Sequence, residues 1–528
     1  MLKLSRVLLL LALLSGSSGA VHAKNPGWRL IFNNDMTNIL VTNSPYNPSD
    51  GKQVDTSEDF STLGVLTEEM LRESVRETAV PGVDAISLTP GLCWVPWWPS
   101  KIYSMAEHAA WFEKRYGIKA TTPFNDYLLN GGDIIGPFVD ECHKRGVAAV
   151  ISYRLNDAHW VEYFEKVDDP KYSHTVTRFY AENPDVRIGT QADADPKTGL
   201  LPHNKRVHDW SRPEARQYKF SLMQEMCELY DIDGLELDLM RFASLFKDDF
   251  PMDQRSRIMT EFVAQVRAML DRTQRGEKRR WLGVRIPIMQ EKLAGLGVDI
   301  PAFSKAGVDY FNVSVHYETS QQGDLAQIKR MAGDTPVYGE LTHASQTWAL
   351  RTRYDGQGFR RSTREMLSTT AHLFYARGAD GLSLFNYVYY REFGNQKILR
   401  GPFNEPDFDL LTKLADRDWV TRQPQLYFLR TRDQLFEKAG DKKQYQLDMA
   451  PGAGADKPGT LRIQVLRPNE RSLGEGQTSE GVSPKPADWK VTVNGRELKA
   501  TDTPQPVYPY PTPIKAGFGL ASQYLAFE

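Results

Sequence analysis

Between Tyr230 and Phe242 the chain reads YDIDGLELDLMRF, a run in which Glu236 and Asp238 alternate with Leu235, Leu237 and Leu239. Side chains of an extended strand alternate between faces, so the two carboxyl groups share one face and the leucines the other. Left uncompensated in an interior, such acids cost several kcal/mol, and a strand serving stability alone would carry apolar residues there. The run is therefore read as the end of a catalytic strand. For Glu236 a salt bridge inside the fold, to Arg154 or Arg285, is an equal expectation.

Something must hold that strand in place, and the sequence around it repeats one pattern. A short β-rich run, a polar loop and an amphipathic stretch of helical period recur from residue 29. Strands are expected at Arg29–Asn34, Asp84–Thr89, Ala148–Arg154, Gly234–Met240, Gly283–Ile288, Tyr310–His316, Val337–Thr342 and Gly381–Tyr387. Helices are expected at Thr67–Glu77, Asp133–Lys144, Pro213–Tyr230, Gln254–Asp271, Asp324–Met331, Thr363–Arg377 and Phe408–Asp416. Gly146, Gly307 and Gly378 sit where helices should end before a strand, and Ser211 with Pro213 marks a helix start. Eight strand-helix units close most naturally into a (β/α)8 TIM barrel, an α/β fold whose active sites lie at the C-terminal ends of the strands. No GxGxxG follows the first strand and no Walker pattern occurs, which disfavours a doubly wound sheet.

Past about Gln423 the helical period gives way to alternating runs such as Leu461–Val465 and Trp489–Val493, the latter followed by Asn494-Gly495, a hairpin signal. Residues 423–528 are read as an all-β, sandwich-like accessory domain, cut short at Glu528. Residues 24–422 form the barrel.

In this register the barrel mouth collects Asn33 or Asp35, Arg154 and Asn156, Glu236, Asp238 and Arg241, Arg285, His316 and Glu318, Tyr338 and Glu340, and Asn386 and Tyr387. Such a ring is what glycosidic bond cleavage needs: two carboxyl groups, one ionised and one protonated, about 5–5.5 Å apart for retention and about 6.5–9.5 Å for inversion. With strands four and seven taken to face one another, Asp238 or Glu236 pairs with Glu340. For His316 and Glu318 a substrate-holding or structural role is at least as well motivated as catalysis. Trp94, Trp97, Trp98, Trp160, Trp210, Tyr387, Tyr389 and Tyr390 offer flat faces suited to pyranose stacking, although any one of them also suits loop packing. Arg154, Arg241 and Arg285 either balance the mouth acids or bind a carboxylate or sulfate on a sugar.

The rest of the composition narrows the classes. Across 528 residues, 65 basic and 67 acidic side chains give a net charge of -2, with no basic tract for a nucleic acid to follow. Lys3, Arg6, the apolar run Val7–Leu14 and Val21-His22-Ala23 read as a secretory signal covering residues 1–23, cleaved to leave a periplasmic or extracellular chain without a membrane span. Three cysteines, Cys93, Cys142 and Cys227, show no metal spacing, and no cofactor is expected. Oligomeric state is not legible.

DWSRPEARQY (Asp209–Tyr218) leading into YDIDGLELDLMRF resembles the glycosyl-hydrolase-like TIM-barrel family, the family-ten-like group of bacterial exported proteins, over residues 26–420. That resemblance implies a barrel glycosidase acting on polysaccharide, with no particular sugar. The chitinase-type pattern D-G-x-D-x-D-x-E is also similar, with Asp233, Glu236 and Asp238 at its acidic positions and Met240 where the proton-donating glutamate would stand. The expectation is an exported, retaining glycoside hydrolase with Asp238, Glu236 and Glu340 as its carboxyl groups. The alternative is a non-catalytic carbohydrate-binding barrel of the chitinase-like lectin type. A metal hydrolase is disfavoured, since the strand ends lack His-x-His and paired carboxylate ligands.

Overall fold

The computed structural model describes residues 25–36, 66–346 apart from 92–94, 121–122, several positions between 160 and 176, and 197–200, then 360–388, 406–429, 442–466 apart from 453–455, 488–501 and 522–528. The signal segment and Cys93, Trp94, Trp160, Tyr389 and Tyr390 lie outside them.

Eight parallel strands close into a barrel: β1 Leu30–Asn34, β2 Ala85–Leu88, β3 Ala148–Arg154, β4 Gly234–Asp238, β5 Trp281–Pro287, β6 Tyr310–Ser314, β7 Val337–Thr342 and β8 Gly381–Phe385. β8 pairs with β1, so the sheet has no edge and every ladder hydrogen bond is made within it. The expected (β/α)8 TIM barrel is the fold. Helices including Glu68–Arg76, Ile135–Arg145, Pro213–Leu229, Met252–Thr273, Leu325–Ala332 and Arg364–Ala376 flank it. Leu235 and Leu237, on the outer face of β4, are fully buried in the layer between strands and helices. Each such leucine is worth about 1.5–3 kcal/mol relative to exposure. Gly146, at φ 70°, ends the helix before β3 in the left-handed conformation that a glycine adopts without strain. The helix before β4 begins with Pro213 as expected, but Arg212 occupies its cap position and Ser211 donates no cap.

The inward faces of the strands stack in layers. At the N-terminal end Trp28, Ile31, Ala85, Val150, Tyr310 and Tyr338 form an apolar floor, with the Tyr310 and Tyr338 rings edge to face at 5.6 Å. Tyr338 donates its hydroxyl proton to the Trp28 carbonyl at 2.9 Å, which satisfies the one polar group that a buried tyrosine brings. Room for these rings comes from glycines at inward positions of neighbouring strands: a Cβ on Gly283 would collide with the Tyr310 ring, and one on Gly381 with Tyr338. Replacing Gly283 by Ala is expected to overpack the floor and cost about 1–3 kcal/mol in urea unfolding, with little change at the mouth. An unchanged midpoint would contradict this packing.

Beyond the barrel, Leu461–Leu466, Ser522–Phe527 and Ala500–Thr501 form a small antiparallel sheet. Thr492–Val493 and Arg496–Glu497 pair across Asn494-Gly495, at φ 50° and 81°, the conformation that an Asn-Gly hairpin favours. These C-terminal sheets are small, and a second packed layer of the kind a sandwich requires is absent among the described residues.

Candidate active site

Above the floor the barrel interior turns polar. Glu236, fully buried, accepts from the Ser152 hydroxyl at 2.7 Å and from Asn312 Nδ2 at 3.2 Å, not from an arginine. Asn312 also reaches Glu340 at 3.3 Å and Ser383 at 3.2 Å, which ties β4, β6, β7 and β8 together across the interior. Burial pushes Glu236 up to about 7; the Ser152 hydrogen bond and Arg285 oppose the rise, while the Asp238 and Glu340 charges add to it.

That shift makes a pH-dependent contribution to stability. Between pH 4.5 and 7 the unfolded chain loses this proton while the folded chain keeps it, so the contribution is full below the unfolded value and is lost as pH rises through the folded one. Glu236→Gln, a neutral isostere, is therefore expected to be more stable than the parent at pH 8 by about 3 kcal/mol and no more stable near pH 4.5. Urea unfolding at the two pH values checks this, and a variant less stable at pH 8 would contradict it.

Arg285 is the centre of the next layer. Its Nη1 donates to Asp238 Oδ2 at 3.0 Å, and its Nε and Nη2 grip Glu340 at 2.7 and 2.6 Å, while Ser314 donates to the same carboxylate. The Phe385 ring packs against the guanidinium, its centroid 4.3 Å from the guanidinium carbon. Burial would lower the arginine's pKa, but Asp238 and Glu340 together hold it above the usual value. The expected opposition of strands four and seven needs correction here. In the closed order β4 faces β8, and the Arg285 side chain fills the space between Asp238 and Glu340.

At the C-terminal rim, Arg154 pairs with Asp157 at 2.9 Å and Asp35 at 3.4 Å, and Asn386 Nδ2 donates to Asp35 at 3.0 Å. Asp157 holds His159, whose other ring nitrogen accepts from Arg241. Arg241 also donates to His316 Nε2 at 2.8 Å and to the Tyr317 hydroxyl at 2.7 Å. Met36, Phe242, His316 and Asn386 follow β1, β4, β6 and β8, and all four have positive φ, between 50° and 78°. Left-handed non-glycine residues cost about 1–3 kcal/mol each and gather where a side chain must be aimed. Their recurrence at one end of the barrel marks that end as built for something other than stability.

The remaining expected site residues go elsewhere. Tyr338 belongs to the floor, at the wrong end of the barrel for a ligand at the mouth. Asn156 fastens two loops, donating to the His208 and Ser244 carbonyls at 3.0 and 2.7 Å. Tyr387 donates to the Asp407 carbonyl, and Trp98 is buried with its indole N–H on Glu225 at 2.9 Å, so both are packing residues. Glu318 is buried in the loop after β6. Asp233, at the first acidic position of the chitinase-like pattern, takes the Ala149 N–H at 2.7 Å below β4, away from the mouth. Cys142 and Cys227 are free and buried. Sequence reading passed over Asp157, His159, Asn312, Ser314 and Tyr317. Asp157-Ala-His159, three residues past Arg154, was the signal available for the first two.

Fold and site together define a closed (β/α)8 barrel with a plugged floor and a buried, hydrogen-bonded carboxylate-arginine core opening to an ionisable rim. No protein-family model and no curated protein matches the chain, and the family-ten-like likeness rests on the strand-four motif. Among solved structures it is similar to an α-L-fucosidase isoenzyme of Paenibacillus thiaminolyticus (12% identity, TM-score 0.41, 74% of this chain). It spans about half, 48%, of that fucosidase. It is also similar to an Anoxybacillus α-amylase (13%, TM-score 0.38, 95% of this chain and 97% of that one) and to the PgaB glycoside hydrolase domain of Bordetella bronchiseptica (13%, TM-score 0.38, 74% and 98%). None of the described helices is long and apolar enough to cross a membrane.

Proposed function

We propose that the chain is a glycoside hydrolase acting on a poly- or oligosaccharide. The observation that carries this reading is the pairing of a carboxyl group whose pKa is pushed up to about 7, Glu236, with a second on the same strand face, Asp238, ion-paired to a buried arginine. A protonated acid beside a charge-stabilised carboxylate is the division of labour that glycosidic cleavage requires. In this reading Asp238, the outer of the two, attacks the anomeric carbon as the nucleophile of a retaining mechanism. Glu236 supplies the proton that the leaving oxygen takes up. Glu340, with both oxygens held by Arg285 and Ser314, positions Arg285 and so Asp238. Retention, export by way of residues 1–23, and a separate unit from residue 423 belong to the same proposal.

A second reading has its own support. Arg285 occupies the gap between Asp238 and Glu340, and Met240 stands at the chitinase-type donor position with its N–H on Asp238 at 2.7 Å. Both fit a barrel that binds saccharide without cleaving it. A panel of polysaccharides assayed for new reducing ends separates the two: the hydrolase reading expects product that Asp238→Asn abolishes, and retained saccharides with no product at any pH would overturn it.

A further inference from the structure

Two of the three rim and core arginines are already neutralised. Arg154 meets Asp157 and Asp35, and Arg285 meets Asp238 and Glu340. Arg241, half-buried three residues beyond Asp238, is different. Its guanidinium donates to His316 Nε2, the Tyr317 hydroxyl and His159 Nε2, all uncharged acceptors, and it makes no ion pair among the described residues. Asp157 is felt by it through space but makes no contact with it, the His159 ring standing between the two.

Because both imidazoles accept from Arg241 at Nε2, each carries its proton on Nδ1. His159 passes that proton toward Asp157, whereas His316 Nδ1 and Arg241 Nε find no acceptor. Burial together with the Arg241 charge lowers His159 to about 4 and His316 well below its ordinary value, so the two rings stay neutral. A left-handed backbone at His316 and at Phe242 holds this arrangement, with the Tyr317 and Phe242 rings 5.1 and 5.5 Å from the guanidinium carbon. A partly desolvated cation fixed by neutral groups, with unused donors beside it, has the chemistry of an anion receptor.

We propose that the saccharide taken by this mouth carries an acidic group, the carboxylate of a hexuronic acid or a sulfate ester, and that Arg241 is the residue that reads it. The glycoside-hydrolase reading supplies only the saccharide. The charge argument stands on Arg241 and its neighbours.

Titration calorimetry on the full chain tests it, using tetragalacturonate and its carboxyl-reduced counterpart, and a sulfated carrageenan tetrasaccharide and its desulfated counterpart. The parent is expected to prefer one acidic member over its neutral counterpart by about 10- to 100-fold, and the pair showing the preference identifies the acid. Arg241→Gln is expected to bring the ratio within about threefold, and Arg241→Lys to restore part of it. Equal affinity for acidic and neutral members, a preference unchanged in Arg241→Gln, or binding of none of the four would overturn the proposal. If Arg241→Gln does not fold, the comparison of the pairs in the parent and in Arg241→Lys still decides. Acid-selective binding without product would sink the hydrolase reading alone, and cleavage confined to neutral chains would sink this proposal alone.

Discussion

Arg285→Met is expected to destabilise the barrel by about 3–5 kcal/mol at neutral pH, because it removes the cation that Glu340 and Asp238 share in the interior. The arginine is fully buried and engages both acids, so its loss strands Glu340 and leaves Asp238 only the more distant Arg154, 3.9 Å away. Combining Arg285→Met with Asp238→Leu and Glu340→Met should recover most of the loss, since a buried ion cluster replaced as a unit by apolar side chains is often neutral or better. Urea unfolding at pH 7 of the single and the triple variant reads both effects. A single variant as stable as the parent would mean that Arg285 does not compensate these acids.

Turnover should respond in the opposite sense to stability at Glu236. If this group supplies the proton in cleavage, Glu236→Gln should lower kcat/KM by about 10²- to 10⁴-fold while raising stability at pH 8, a combination that damage to the fold cannot produce. The parent's rate should fall on the alkaline side as Glu236 loses its proton near pH 7, and that limb should vanish in the variant. Substrates with an activated leaving group should be spared part of the loss, since they need less protonation. Unaltered turnover in Glu236→Gln would move the acid role to another group.

All eight strands were legible because alternation and the glycine ends of the preceding helices are local signals, read correctly to within about two residues. Helices Met105–Tyr116, Pro123–Leu129 and Ile300–Lys305 were missed. The first carries a complete capping box between Ser104 and Glu107, a local signal in plain view between the expected second strand and the helix at Asp133. At the site, alternation correctly assigned side chains to faces but said nothing of their height along the barrel. Tyr338 and Glu340 share a face of β7, yet one lies in the floor and the other beside Arg285. Rim partners such as His159 and Tyr317 come from loops, where no period constrains direction. Arg154 meets Asp157 only three residues on, but its pairing with Asp35 and those of Arg285 with Asp238 and Glu340 join residues 47 to 119 positions apart, and no local pattern encodes those.

The aromatic floor also governs traffic. With Tyr310, Tyr338 and Trp28 packed across it, the N-terminal end of the barrel is closed. Glu236 is thus reached only from the side of the Asp238–Arg285 ion pair, and a proton it gives up leaves toward the mouth.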